Sequence, residues 1–228
     1  MIKKGDFIEI EFVGRLKLTN QIFDLTDENL AKQNNVHNPK IKYGPQIVCI
    51  GQNQLVKGLD EFLIDKELKE YKVELTPEQA FGPKNPKLIK IVSMSAFKDQ
   101  NVKPFPGLQL NIDGLFAMVK TVSGGRIVLD FNHPLAGRDV IYEIKILRKV
   151  TDIKEKLKSI FLNAFNKEFK FDIKDNKLII KEDLSEQVQK ALENKLKELI
   201  PEIKEVKFSK EQEVKKEEVK EEKKKQNK

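Results

Sequence analysis

The chain has 228 residues, room for two or three small domains, and 39% of them are hydrophobic. Charged residues make up 35%, and the net charge of +7 is spread as interleaved Lys and Glu, as in Lys154-Glu155-Lys156. That pattern reads as a solvated surface and argues against a nucleic-acid partner, which needs one basic face with aromatic rings to stack on bases. The Lys/Glu excess with no Trp resembles the composition of heat-adapted proteins. A single cysteine, Cys49, excludes an internal disulfide and suits a reducing cytoplasm; within Ile47-Val48-Cys49-Ile50 it reads as a small core residue. No stretch approaches the roughly 20 apolar residues of a membrane span, and Met1 to Asp6 leads into a strand rather than a signal peptide. A soluble intracellular protein without a membrane partner is expected.

In chain order, Phe7 to Val13 alternates apolar and acidic residues and reads as a strand ended by Gly14. Residues 24 to 42 are polar and read as a long loop. Ile47 to Ile50 is an apolar run closed by Gly51, and Leu55 to Leu63 has apolar residues at helical spacing. Glu67 to Leu75 reads as a strand with Tyr71, Val73 and Leu75 on one side. From Pro83 to Pro106 prolines bracket a short strand, Leu88 to Val92. Strand patterns follow at Leu108–Ile112, Leu115–Val122 and Arg126–Phe131, the last two joined by the hairpin signal Ser123-Gly124-Gly125. Val140 to Leu147 is a further strand.

After Thr151 the order becomes helix, strand, strand, helix, strand. Ile153, Leu157, Ile160, Phe161 and Ala164 mark one helical face, capped by Asp152 or Thr151. Asp175-Asn176 is a hairpin signal, a second amphipathic helix stops before Pro201, and Ile203 to Phe208 is a last strand. From Ser209 to Lys228 only Val214 and Val219 are apolar, so disorder or a solvated helix is expected.

Several segments, taken together and in this order, resemble the FKBP-type prolyl isomerases. They are Glu11-Phe12-Val13-Gly14, Phe23-Asp24, the elbow Ile50 to Asp60, Pro77-Glu78-Gln79-Ala80-Phe81-Gly82, and Asn132-His133-Pro134-Leu135-Ala136-Gly137 followed by the strand that holds Tyr142. The last segment is the pattern of the SlyD-like subgroup, whose members carry an insert-in-flap domain in the gap that here separates Gly82 from Asn132. The resemblance covers residues 1 to 150 and is strongest for long archaeal members, which also have a C-terminal domain. It implies an α+β fold: an FKBP-like antiparallel sheet wrapped on a short helix (1–87 and 130–150), a mainly β insert (88–129), a C-terminal α-β-β-α-β domain (151–208) and a charged tail (209–228).

The implied chemistry is rotation about the X-Pro amide. Resonance holds that bond planar behind a barrier of about 18–20 kcal/mol. The twisted state has less charge separation than the planar one, so an apolar pocket favours it without nucleophile, metal or acid-base pair. By resemblance, Phe12, Phe23, Val48, Leu55, Val56, Leu59, Phe81 and Tyr142 line the proline pocket, with His133 and Leu135 beside it. Each would otherwise read as core, and Leu55 and Leu59 fit either role equally. Asp24, Phe81 and Tyr142 are the implied catalytic group. Asp24 sits in the family at the pocket edge and orients the substrate backbone, though Asp also commonly caps turns. The Val56 N–H, at a helix start, would meet a substrate carbonyl.

Phe81 stands where many members have Tyr, Leu59 where the best-known human member has Trp, and Gln46 where an apolar residue is common. These departures argue against tight macrolide binding more than against isomerisation. His37 and His133 have no cysteines near them, so neither a metal nor any other cofactor is expected.

Apolar residues of the insert must divide between its own small core and a chaperone surface. Met94, Phe97, Phe105, Phe116 and Met118 are assigned to the surface, since Met-rich apolar patches adapt to varied partners. The expected partners are unfolded or partly folded proline-containing polypeptides, with a homodimer through an apolar face of the C-terminal domain. Two other readings remain open: a chaperone or binding module whose isomerase pocket has decayed, and a ribosome- or RNA-associated factor.

Overall fold

Alternation along a strand sends successive side chains to opposite faces, and in the first strand both faces find a core. β1 (Phe7–Leu16) turns Ile8, Ile10, Phe12 and Leu16 to one side and Phe7 to the other. The computed structural model describes residues 1–98, 102–174 and 176–209. Around β1 an antiparallel sheet forms in the order β2-β1-β9-β4, from β2 (Ile22–Leu25), β4 (Glu70–Leu75) and β9 (Val140–Lys149). β3 (Gln46–Cys49) pairs with the beginning of β1. Val140, Tyr142, Ile144 and Ile146 of β9 join the Ile8 side, and α2 (Lys57–Leu63) covers that face with Leu59 and Leu63.

Between β4 and β9 the chain makes a separate sheet, β5-β8-β7-β6, from β5 (Ile89–Ser93), β6 (Gln109–Ile112), β7 (Leu115–Ser123) and β8 (Arg126–Asp130). Its own core is Phe97, Ala117, Val119, Ile127 and Leu129. The remainder runs α4 (Ile153–Phe165), β10 (Phe171–Lys174), β11 (Lys177–Ile180), α5 (Glu186–Leu199) and β12 (Glu205–Phe208). β10 pairs antiparallel with β11, and β11 parallel with β12 across the α5 crossover. The fold is thus mixed α+β with largely antiparallel sheets.

This last part shares a core with the back of the first sheet. Phe7 of β1, Ile47 and Cys49 of β3 and Val150 pack with Leu157, Phe161, Leu178 and Leu196. Polar contacts fasten the same junction. Arg148 Nε donates to Glu9 at 2.6 Å, and its terminal nitrogens donate to both Glu155 oxygens at 2.8 and 3.1 Å. Lys195 of α5 donates to Gln52. Cys49 is buried, and burial pushes its thiol up to about 11.

Several sequence expectations are corrected here. Gly14 does not end β1; the strand continues to Leu16, because a glycine is needed where the Phe23 ring lies across the backbone. Within 24–42, read as a loop, lies α1 (Glu28–Gln33), a short helix capped by the Asp27 side chain, which accepts from Leu30 N–H at 3.0 Å. The strand placed at Glu67 begins at Glu70, since Glu67 and Lys69 form a turn tied to the Tyr71 hydroxyl. Phe97 is 7% exposed and belongs to the insert's core rather than its surface. It sits on a short helix, α3 (Ser95–Lys98), that packs it with Ala117, Val119, Ile127 and Leu129 of the sheet. The apolar faces of α4 and α5 are consumed by the shared core: among their described residues Leu162 is the only large apolar side chain counted as exposed. Asp152 is the α4 cap, accepting from Glu155 N–H at 2.9 Å. Asp175 of the hairpin signal and residues 210–228 of the charged tail lie outside the described residues.

Candidate active site

At one end of the first core, side chains from five segments converge. Phe12 comes from β1, Phe23 and Asp24 from β2, Leu59 from α2, Tyr142 from β9, and Phe81 from the segment after a single 3-10 turn, Pro77–Gln79. Phe23 is the hub. Its ring meets Tyr142 edge-on at 5.7 Å between centroids and Phe81 edge-on at 5.6 Å. Tyr142 in turn lies 6.0 Å from Phe12, and Phe81 stacks on His133 at 4.8 Å with the planes 3° apart. Phe12, Val48, Leu59 and Tyr142 are buried and form the base, so they back the site rather than face out of it. Phe23, Leu55, Val56, Phe81 and Leu135 are half-buried against that base, leaving each an open side.

Two glycines make the convergence possible. A β-carbon at Gly14 would lie 2.8 Å from Phe23 Cζ. One at Gly58 would lie 2.7 Å from Gln79 Cβ and 3.0 Å from Gln79 O, so only glycine lets α2 approach the turn that presents Phe81.

Asp24 is the one carboxylate among these rings. Its outer side is open to solvent, but the apolar mass behind it raises its pKa, opposed by a hydrogen bond from Leu25 N–H. Burial also pushes the Tyr142 hydroxyl up, with the Asp24 charge adding to it. Both shifts express the same low-polarity surroundings.

Loop geometry around the cluster depends on residues that sequence reading did not single out. Asp60, buried on α2, accepts from Gly51 N–H at 2.9 Å and from Asn53 N–H at 3.4 Å. Gln54 accepts from Cys49 N–H at 2.7 Å. Together they hold the elbow that delivers Leu55 and Val56. Val56 is the N-cap of α2, and no partner for its N–H is recorded among the described residues.

A second set closes the neck of the insert. Asn132 Oδ1 accepts from Asn85 N–H at 2.8 Å while its amide donates to Asn85 O at 3.1 Å and to Asp130 Oδ1 at 2.7 Å. Asp130 also accepts from Asn132 N–H at 2.9 Å and lies 3.5 Å from Lys84 Nζ. Burial alone would raise the Asp130 carboxyl, but the Asn132 bonds and the Lys84 ammonium bring it below the usual range. His133, next in sequence, accepts from Leu135 N–H at Nδ1 at 3.2 Å, which orients its ring. The signal for this clamp was present in Asp130-Phe131-Asn132, but its partner Asn85 is remote in sequence.

Of the residues assigned to the insert surface, Phe105 and Phe116 are exposed, Phe116 by 75%, while Met94 and Met118 are half-buried. His37 stacks on Tyr43 at 5.3 Å, far in sequence from His133. No group of three potential metal-binding side chains occurs among the described residues.

Residues 90–135 match the family model described as FKBP26, IF domain. A short-type peptidyl-prolyl cis-trans isomerase of Methanocaldococcus jannaschii is 31% identical over 147 residues, which is 64% of this chain and 92% of that protein. The FKBP-type 16 kDa peptidyl-prolyl cis-trans isomerase of Escherichia coli K12 is 31% identical over 108 residues, 45% of this chain and 72% of the relative. The FKBP-type isomerase SlyD of Helicobacter pylori J99 is 25% identical over 129 residues, 54% of this chain and 63% of that protein.

Proposed function

From the premise that the chain belongs to the FKBP-type peptidyl-prolyl cis-trans isomerases and is an isomerase, we propose that it accelerates proline-limited protein folding, with the insert capturing unfolded chains. The observation that carries the catalytic half is the Phe23-centred cluster: the Phe81 and Tyr142 rings both packed edge-on against Phe23, above a buried Leu59, with one carboxylate at the rim. A prolyl ring enters the open side formed by Phe23, Val56 and Phe81. There the planar amide loses the solvation that favours it, while the twisted amide, with less charge separation, loses little. Binding that improves towards the twisted state is what lowers the barrier. Asp24 positions the substrate backbone, and the Val56 N–H is available to a substrate carbonyl. Phe81 brings a ring without a hydroxyl, so shape rather than hydrogen bonding governs that wall.

Capture is supported by the exposure of Leu115 (63%), Phe116 (75%) and Phe105 (57%) on the insert, apolar surface that a sheet closed on its own core does not need. Residues 1–87 with 130–150 form the isomerase unit, 88–129 the capture unit and 151–208 a buttress for the first sheet. A cytoplasmic setting suits the one unpaired, buried cysteine.

Two assays on one preparation test this. The intact protein should accelerate isomerisation of a short X-Pro peptide and the refolding of a proline-limited protein. Excising residues 88–129 in favour of a short loop should leave the peptide rate within about tenfold, ~1.4 kcal/mol, and cut refolding much further. Equal losses would refute capture. No acceleration of the peptide by the intact protein would refute catalysis and favour the second reading, a binding module with a decayed pocket.

A further inference from the structure

Between the insert and the segment that carries His133 lies a cleft of about 660 Å³. Its apolar wall is Leu115, Phe116, Met118 and Phe131. The cleft adjoins the aromatic cluster through His133, which lines it and stacks on Phe81 at 4.8 Å. Its charged lining is uneven: Lys84, Lys120 and Arg138 against a single acid, Asp130. That acid is already satisfied by Asn132 and Lys84, and its side chain is 7% exposed.

Lys120 and Arg138 lack, among the described residues, the ion pairs that occupy several lysines of the neighbouring sheet. Lys17 pairs with Glu74, Lys72 with Glu143 and Lys145 with Glu70 on the neighbouring sheet. Among the described residues no carboxylate is recorded within ion-pair distance of Lys120 or Arg138, and Lys120 is exposed. Lys120 is also the extra residue of a β-bulge, at the register shift between Val119 and Thr121. Alternation along β7 keeps Ala117 and Val119 in the insert core and sets Lys120 on the same side as Phe116 and Met118, and the extra residue at the bulge brings Val122 rather than Thr121 back against that core.

We infer that this cleft selects apolar segments that carry Asp or Glu, with Lys120 and Arg138 as the specificity-determining residues. The inference rests on reading the insert as a capture surface. An acidic side chain of the bound segment gains two unpaired cations beside an apolar wall, while a basic one meets them as like charges. The preference has a direction along the segment. Asp24 sits uncompensated at the prolyl end, so acids adjacent to the proline are disfavoured there and acids displaced into the cleft are favoured. Since both cations face solvent, the selection is screened by salt, with a Debye length of about 8 Å at physiological ionic strength.

The test uses the full chain and two fluorescein-labelled, unstructured peptides of equal length, sharing one proline and the same apolar residues. One carries Asp away from the proline, the other Lys at the same places. Anisotropy titration should give a Kd roughly threefold to tenfold lower for the Asp peptide at low salt, with the gap closing at high salt. Lys120→Glu combined with Arg138→Glu should reverse the preference. Lys154→Glu combined with Lys190→Glu, the same charge change made on α4 and α5, should preserve it, which separates the cleft from the net charge of the chain. Equal binding of the two peptides would overturn the inference and leave capture standing. So would an equal loss of preference in both double variants. If neither peptide binds, capture falls and the inference with it.

Discussion

Replacing Gly14 by Ala should damage the site through a single methyl group. Glycine in a strand interior ordinarily costs about 0.5–1 kcal/mol relative to Ala, so the exchange would stabilise most strands. Here the new β-carbon would stand 2.8 and 2.9 Å from two atoms of the Phe23 ring and 3.1 Å from Tyr142 Cε1. Carbon atoms settle at about 3.5–4.0 Å, so the Phe23 ring must retreat by roughly 0.7–1 Å. That retreat pulls it out of its edge-on contacts with Phe81 and Tyr142 and towards the open side that receives the prolyl ring. Overpacking of this kind costs about 1–3 kcal/mol. Set against the strand gain, the net loss is about 0.5–2 kcal/mol, or a few degrees in melting temperature for a chain of this size. The rate on a short X-Pro peptide should fall by about tenfold or more, because the displaced ring is the hub of the site. Thermal melts and peptide kinetics on the same sample measure both. Phe23→Leu should cost less in the Gly14→Ala background than alone, a coupling that a double-mutant cycle reads directly. A Gly14→Ala protein that is more stable and equally active would refute the placement of Phe23.

Asp24→Asn should lower the peptide rate yet raise the melting temperature at neutral pH. The folded carboxyl has a raised pKa, so its charge opposes folding above that value; the variant's advantage should fade as pH falls through the raised pKa and the wild-type group becomes neutral. A variant less stable at pH 7 would show that the charge is held by partners instead. Asp130→Asn should behave oppositely, since its carboxyl is depressed by Asn132 and Lys84. Urea midpoints should show a loss of about 1–3 kcal/mol at pH 7 that narrows as pH falls below about 4 through the depressed value; a gap independent of pH would exclude the clamp.

Much of this architecture was legible because alternation is a local signal. Ile8, Ile10 and Phe12 against Glu9 and Glu11 announce a strand with one buried face, and Phe81 and Tyr142, from segments about sixty residues apart, both pack on Phe23. The failures concern what an apolar or small residue is for. Gly14 reads as a terminator until Phe23 is seen lying across it. Phe97 reads as a surface anchor until α3 is known to fold it inward. The helices after Thr151 display an apolar stripe whose partner, Phe7, Ile47 and Cys49 on the reverse of β1 and β3, lies a hundred residues or more before it. Asp60 and Asn132 escaped for a related reason: each acts on backbone groups, which leave no residue-type signature.

The position of β9 has a consequence for how the molecule comes into being. β9 lies between β1 and β4, yet it is the last of that sheet's strands to leave the ribosome. Everything the insert sheet requires is contained in residues 89–130 and is already made by then. Domains close as units during synthesis, and pairings of long sequence separation come late. The nascent chain therefore passes through a stage in which the insert is folded while β1 and β4 still wait for the strand between them. Phe23 and Phe81 are present at that stage, but Tyr142, which completes their cluster, is not. Both partners of the neck clamp, Asn85 and Asn132, also precede β9 in the chain, so the residues that tether the insert are made before the strand that completes the sheet beneath it.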